Sequence, residues 1–149
     1  MRSENKKTLE KALHLLDRIG FERKNVMVTG SIALDIMGIL PKGRLCHDAD
    51  FIIKMDEKTW RMTKLLEEVA NFNDDSGDIY PSNSEMVCIK TRSGLTLNIW
   101  RCDSFDSTMR DGDTGIRIAD FRHIINAKKS YGRKKDLIDI NSICKELLS

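Results

Sequence analysis

The sequence predicts an α/β (α+β) domain, a small mixed β-sheet flanked by helices. Three observations carry that expectation. Apolar residues recur at helical spacing near both ends of the chain, and short runs rich in Val, Ile and Phe lie between them. The two kinds of segment interleave: helix, strand, helix, strand, helix, two or three strands, then two helices. A bundle would lack the strand runs, and a sandwich would lack the long amphipathic segments.

Taken in order, Leu9, Ala12, Leu13, Leu16 and Ile19 mark one helix face, and Gly20 follows as a stop. Val26-Met27-Val28 reads as a strand that runs into Thr29-Gly30-Ser31. Ile32, Ala33, Ile36 and Met37 then give a second helical face. Residues 38–47 hold Gly, Pro and basic residues and read as a loop. DADFIIK, residues 48–54, alternates as a strand does. A third helix is expected over Glu57–Ala70, with Met62, Leu65, Leu66 and Val69 as its stripe. Residues 71–84, with Asp74, Asp75 and Gly77, read as a loop with room for one short strand. Glu85–Lys90 and Leu95–Arg101 form a hairpin turning at Arg92-Ser93-Gly94. Residues 103–115 read as an acidic loop. Of the two closing helices, the first spans Arg117–Ser130. The second begins near Arg133 and buries Leu137, Ile140, Cys144 and Leu147.

At 149 residues the chain suits a single domain, residues 1–149, without repeat or linker. Hydrophobic residues at 40% and charged residues at 32%, with nine Gly and two Pro, exclude collagen-like and wholly disordered classes. No apolar run has the length of a membrane span, and the first residues lack a signal-peptide core. No membrane association and a cytoplasmic location are the expectation. Twenty-five basic against 23 acidic residues leave +2, too little to indicate nucleic acid by charge. Cys46, Cys88, Cys102 and Cys144 are widely spaced, without a Cys-x-x-Cys pair. Four reduced, mostly buried thiols are expected, against the alternative of a secreted disulfide scaffold.

Two features bear on chemistry. Gly30-Ser31 sits at a strand-to-helix turn, where a backbone without a Cβ approaches a ligand closely and helix amides favour phosphate. The same pair also reads as a plain connection with Ser31 as helix cap. Asp48-Ala49-Asp50 heads a strand, and period-two alternation puts both carboxylates on one face. Neighbouring carboxylates repel, so the pair calls for a cation or a raised pKa, and hard oxygen ligands suit Mg2+ with substrate phosphates. Alone, the pair is equally a solvated strand end.

The run Gly30-Ser31-Ile32-Ala33-Leu34-Asp35, followed by Arg44-Leu45-Cys46-His47-Asp48-Ala49-Asp50-Phe51, resembles the signature of the DNA polymerase beta-like nucleotidyltransferase superfamily. The likeness is to its small members: aminoglycoside and lincosamide nucleotidyltransferases, and the nucleotidyltransferase toxins of abortive-infection systems. Arg44, Asp48 and Asp50 match, whereas Cys46 stands where a hydroxyl residue is usual. Ala127-Lys128 and Tyr131-Gly132-Arg133-Lys134-Lys135-Asp136-Leu137-Ile138-Asp139 are similar to a Lys…Gly-Arg-x-Lys-Asp-x-x-Asp pattern near the end of these proteins. Residues 55–94 add little to the likeness.

The resemblance implies the polymerase beta-like fold and transfer of a nucleoside monophosphate from a nucleoside triphosphate to a hydroxyl acceptor. Asp48 and Asp50 would hold Mg2+, with two ions expected. Gly30 and Ser31 would hold the β- and γ-phosphates, and Arg44 and Lys128 would stabilise the triphosphate or the leaving pyrophosphate. For Arg44 a solvated loop charge, and for Lys128 an exposed helix face, are the plain alternatives. Lys135, Asp136 and Asp139 fall at a structural tie between the last helices. Between Phe121 and Lys135 lie Arg122, Lys128, Lys129, Arg133, Lys134 and Lys135 without an acidic residue. That strip could meet triphosphate or RNA, or be the ordinary positive end of a helix.

One position departs from the pattern. A third carboxylate is expected on the strand Leu95–Trp100, where Leu95, Leu97 and Ile99 face the core and Thr96, Asn98 and Trp100 share the other side. Asn98 occupies that place. An amide oxygen can bind a metal but supplies neither charge nor a base. The enzyme is then slow or recruits Asp103 or Asp106, or it binds nucleotide without turnover, or an aspartate was replaced to trap a substrate. His47, His14 and His123 receive no role, and Trp100 is either a stacking platform or a lid on the core. Catalytic candidates are thus Asp48, Asp50 and Asn98. The partners expected are a nucleoside triphosphate and an acceptor that is a small molecule, an RNA end or a protein; a homodimer stays open. The alternatives are a catalytically impaired nucleotide-binding or interaction module, and a nucleic-acid-binding protein using the basic helices.

Overall fold

The computed structural model describes residues 1–72, 85–105 and 108–148. Helix α1 (Ser3–Ile19) ends at Gly20, whose φ of +113° is left-handed and whose N–H bonds back to Leu16 and Asp17. Strand β1 (Val26–Thr29) leads directly into α2 (Gly30–Ile36), and β2 (Asp48–Lys54) follows after the loop. Helix α3 (Glu57–Phe72), strands β3 (Met86–Lys90), β4 (Thr96–Cys102), β5 (Thr108–Arg110) and β6 (Arg117–Ala119), and helices α4 (Phe121–Tyr131) and α5 (Lys134–Leu148) complete the order. The strands make one mixed six-stranded sheet in the order β3-β4-β2-β1-β6-β5. Strand β2 is antiparallel to β1 and parallel to β4, while β6 is parallel to β1.

One face of the sheet is apolar except where Arg101 of β4 lies opposite Ile53 at its end. Val28, Phe51, Ile53, Leu97, Ile99 and Val87 are fully buried and join a core with Leu9, Leu13 and Leu16 of α1, Trp60 of α3, Ile124 of α4 and Ile143 of α5. Each such side chain contributes ~1.5–3 kcal/mol, so stability rests on this face and the opposite one is free to carry charge. The mixed α/β architecture is thus the one the interleaved periodicities predict.

Several elements differ from the sequence expectation. Arg117–Ala119 is a strand rather than the start of a helix, because Arg117 and Ile118 pair with Met27 and Val28 of β1. Asp120 then caps α4 by accepting from the Arg122 N–H (2.9 Å). The supposed loop 103–115 contributes β5, paired with β6. On α5 the inward residues are Asp136, Asp139 and Ile143, whereas Leu137, Cys144 and Leu147 face solvent. The helix is rotated by about one residue, because its two carboxylates find buried cations. Helix α3 likewise turns Trp60, Thr63 and Leu66 inward and leaves Met62, Leu65 and Val69 exposed. The cysteines are all free, but only Cys46 and Cys88 are buried; Cys102 is half-buried and Cys144 exposed. Asp74, Asp75, Gly77 and Asp106 lie outside the described residues. Among the described residues no helix is long and apolar enough to cross a membrane.

Candidate functional site

The polar face of the sheet is built by register. Asp50 of β2 pairs with Thr29 of β1 on one side and with Asn98 of β4 on the other, and Asn98 in turn pairs with Cys88 of β3. Alternation sends Asp48 to the same face, ~6.6 Å along the strand, while Ala49 and Phe51 enter the core. The Asn98 amide Nδ2 donates to Asp50 Oδ1 at 2.8 Å. Asp50 Oδ2 packs against the backbone of Gly30, where a Cβ would overlap it. Gly30 also has φ +67°, so glycine is required there on two counts.

Asp50 is therefore wedged between a glycine backbone and an amide, and among the described residues it has no ion pair. Burial of its carboxyl is the largest influence and pushes it above its ordinary value of 3.8, and the Asp48 charge adds to this. The Asn98 hydrogen bond and the more distant charges of Lys128 and Lys135 pull the other way without prevailing. Asp48 itself lies exposed at the strand head.

A second group of charges meets beside the Gly30-Ser31 turn. Lys128 comes from α4 with only 7% of its surface exposed. Its Nζ donates to Asp139 Oδ2 (3.0 Å) and Ser31 Oγ (3.3 Å), and lies 3.8 Å from Asp136 Oδ1. Arg44 meets the same Asp139, NH2 to Oδ1 at 2.8 Å and NH1 to Oδ2 at 3.2 Å. Asp136 takes Arg133, Nε to Oδ2 at 2.7 Å. Burial would raise the Asp136 carboxyl, but the Arg133 bond and charge and that of Lys128 hold it below 3.8. Neither Arg44 nor Lys128 is a solvated surface charge. Both are fixed by Asp139, a residue the sequence marked only as structural.

The loop that carries Arg44 is held by residues the sequence did not single out as a pair. Asn5 of α1 is 1% exposed. Its Nδ2 donates to Asp35 Oδ2 (2.7 Å) and to the Arg44 carbonyl (3.2 Å), while its Oδ1 accepts from the Cys46 N–H (2.8 Å). Both halves of one buried amide are thereby used, and α1, α2 and the loop before β2 are tied at one point. Cys46 lies beside this tie, and burial pushes its thiol up to about 11, with Asp35 and Asp50 adding to the effect. It is an inert neighbour of the site.

The structure brings Asp48, Asp50, Asn98, Gly30, Ser31, Lys128 and Arg44 to the same end of the sheet. It separates other candidates from them. Asp103 follows the far end of β4, which runs parallel to β2, and pairs there with Arg101 (2.9 Å), so it cannot serve as a base for Asp50's end. His47, His14, His123 and Lys135 are exposed, and Trp100 is half-buried on the Asn98 face. Among the described residues no group of three or more His, Cys, Asp or Glu side chains is placed to hold a metal. The available set is two carboxylates and one amide, all hard oxygen donors of the kind Mg2+ takes. No family model matches this chain, and neither the curated proteins nor the solved structures contain a match.

Proposed function

We propose that the chain is a Mg2+-dependent nucleotidyltransferase that moves a nucleoside monophosphate from a nucleoside triphosphate to a hydroxyl acceptor. The observation that carries the reading is the contact of the Asp50 carboxylate with the Gly30 backbone. It sets an Asp-x-Asp strand end against a Gly-Ser turn, so that a cation on one would touch a triphosphate lying on the other. The donor set fits Mg2+, because Asp50 is a half-buried carboxylate whose partner among the described residues is an amide rather than a cation. Held by Asp48 and Asp50, the ion would supply charge neutralisation at the α-phosphate.

The chain's own groups have distinct parts in this reading. The Ser31 hydroxyl and the Lys128 ammonium, 3.3 Å apart, receive the β- and γ-phosphates. Arg44, anchored by Asp139, adds positive charge next to the leaving pyrophosphate. The acceptor oxygen bonds to the α-phosphorus as the bond to the bridging oxygen breaks, and the acceptor proton passes to solvent water. Asn98 orients Asp50 but takes no proton.

Calorimetric titration of the common nucleoside triphosphates, with and without Mg2+, tests the site. The wild type is expected to show metal-dependent binding that the Asp48→Asn/Asp50→Asn double variant loses; equal binding by both excludes it. Asn98 also favours a second reading, nucleotide binding without transfer, because it leaves Asp50's neighbour with no base. Metal-dependent release of pyrophosphate in the presence of acceptor separates the two, since binding alone releases none.

A further inference from the structure

The face of the sheet that carries Asp50 also carries an uncharged row. Thr29, Asp50, Asn98 and Cys88 lie side by side across four strands. In the next row Ile52 pairs with Trp100, and Trp100 with Met86. Partners in register share a face, so these side chains stand on the Asp50 side, ~6.6 Å farther along their strands. Ile52 is 8% exposed, whereas Trp100 and Met86 are half-buried. The surface beside Asn98 is thus an indole ring flanked by aliphatic groups, lying between Asp48 at one end of β2 and Lys54 at the other.

In-line displacement fixes the side from which an acceptor arrives. In the nucleotidyltransferase reading, on which this inference rests, the leaving pyrophosphate lies at Gly30, Ser31 and Lys128, on the β1 side of Asp50. The attacking oxygen enters opposite the leaving group. Across β2 from β1 is β4, so the acceptor oxygen comes in over Asn98 and the rest of its molecule lies over Trp100 and Met86. Its bond to the α-phosphorus forms as the bridging bond breaks. The electron pair of that bridging bond leaves with pyrophosphate, and the acceptor proton goes to water. An indole face holds a flat π-system by stacking, an attraction a saturated ring does not share. Ile52, Trp100 and Met86 contain no carboxylate, so their row gives a polycationic acceptor nothing to pair with.

We infer that the acceptor is an alcohol carrying a flat aromatic or heteroaromatic ring, and that Trp100 selects it by stacking that ring beside Asn98. The donor nucleotide's own base has the same chemistry and is the competing occupant, which the test separates from the acceptor.

The probes are adenosine, which joins hydroxyls to a flat ring, and ribose, which keeps the hydroxyls and lacks the ring. Ligand-observed NMR titrations in EDTA compare the wild type with Trp100→Phe and Trp100→Leu. Adenosine is expected to saturate the wild type below about 1 mM, and ribose is expected not to bind. Trp100→Phe should keep the affinity within about threefold, and Trp100→Leu should lower it ~tenfold. A matching thermal unfolding midpoint certifies the Leu variant. Fluorescence gives a second readout that needs no variant, since Trp60 is buried and Trp100 is the indole within a ligand's reach. Adenosine should quench it and ribose should not. Equal adenosine affinity in wild type and Trp100→Leu overturns the inference, as does ribose binding as well as adenosine. A last titration adds Mg2+ and saturating α,β-methylene-ATP. Adenosine that still binds through Trp100 is the acceptor's stand-in, whereas adenosine displaced by the analogue gives Trp100 to the donor's base and overturns the assignment. Analogue binding with no effect of Trp100 on adenosine leaves the transferase reading standing and sinks this inference alone. No binding of the analogue sinks that reading, and with it the assignment of the ring to an acceptor.

Discussion

Two pairs of aspartates approach the same end of the sheet and are treated in opposite ways. On α5, Asp136 and Asp139 lie three residues apart on one helix face, buried and met by Arg44, Lys128 and Arg133. On β2, Asp48 and Asp50 lie two residues apart on one strand face, and among the described residues Asp50 meets the Asn98 amide and a glycine backbone but no cation. The helical pair is an internally neutralised joint between helices and loop. The strand pair is left with a charge deficit, which is the condition for recruiting a cation from outside. Residue type does not distinguish the two; partners do.

The comparison is sharpest when the same substitution is made in both places. Asp139→Asn strands Lys128 and Arg44 near one another and is expected to destabilise the protein by about 3 kcal/mol in urea unfolding. A smaller loss than Asp50→Asn would break the distinction. Gly30→Ala forces a side chain into left-handed backbone and into Asp50, with an expected cost of about 2 kcal/mol. Adding Asp50→Ala should recover part of it, and a strictly additive double-mutant cycle would place the two groups apart. Asp50→Asn removes a half-buried charge that an amide, and no cation among the described residues, contacts, so stability without metal should rise by about 1 kcal/mol while Mg2+-dependent nucleotide binding disappears. Asn98→Asp puts like charges opposite each other on adjacent strands and should cost about 0.5 kcal/mol without metal. With Mg2+ that loss should turn into a gain, read from the unfolding midpoint against metal concentration.

The smallest effect is in acid. Asp136 is held below its ordinary value of 3.8, so its contribution is complete above that value and is lost as pH falls through the folded-state pKa. Unfolding midpoints below about pH 4 should therefore fall more steeply for the wild type than for Asp136→Asn. Parallel curves would mean that Arg133 gives Asp136 nothing.

The strand side of this comparison was legible in the sequence, and the helical side was not. Alternation with β-propensity marks β2 at Asp48–Lys54 and puts Asp48 and Asp50 on one face, because a strand has only two sides, whereas Asn98 was singled out by the resemblance and joins that face through the register of β4 on β2. Helix α5 was misread because periodicity sends apolar residues inward, and it cannot know that Lys128 and Arg44 wait inside for Asp136 and Asp139. Arg44 and Asp139 are 95 residues apart in sequence, so no local signal joins them. β6 is three residues long and abuts α4, which let a helical pattern absorb it. The Asp120 cap was the one local cue to the boundary. The residues that the likeness to nucleotidyltransferases marked, including Gly30, Ser31, Arg44 and Lys128, lie near one another, and that proximity assigns no reaction.

The Asn5 tie makes the Cys46 amide an unusual reporter. Loop amides ordinarily exchange their protons with solvent through small local openings. The Cys46 N–H instead donates to a fully buried side chain whose other half grips α2 and the Arg44 carbonyl. Its proton exchanges only when the bond to Asn5 breaks, by movement of α1 or of the loop itself. A single resonance in a loop therefore reports whether the joint between α1, α2 and the Arg44 loop is closed, and its deuterium uptake reads the integrity of that joint.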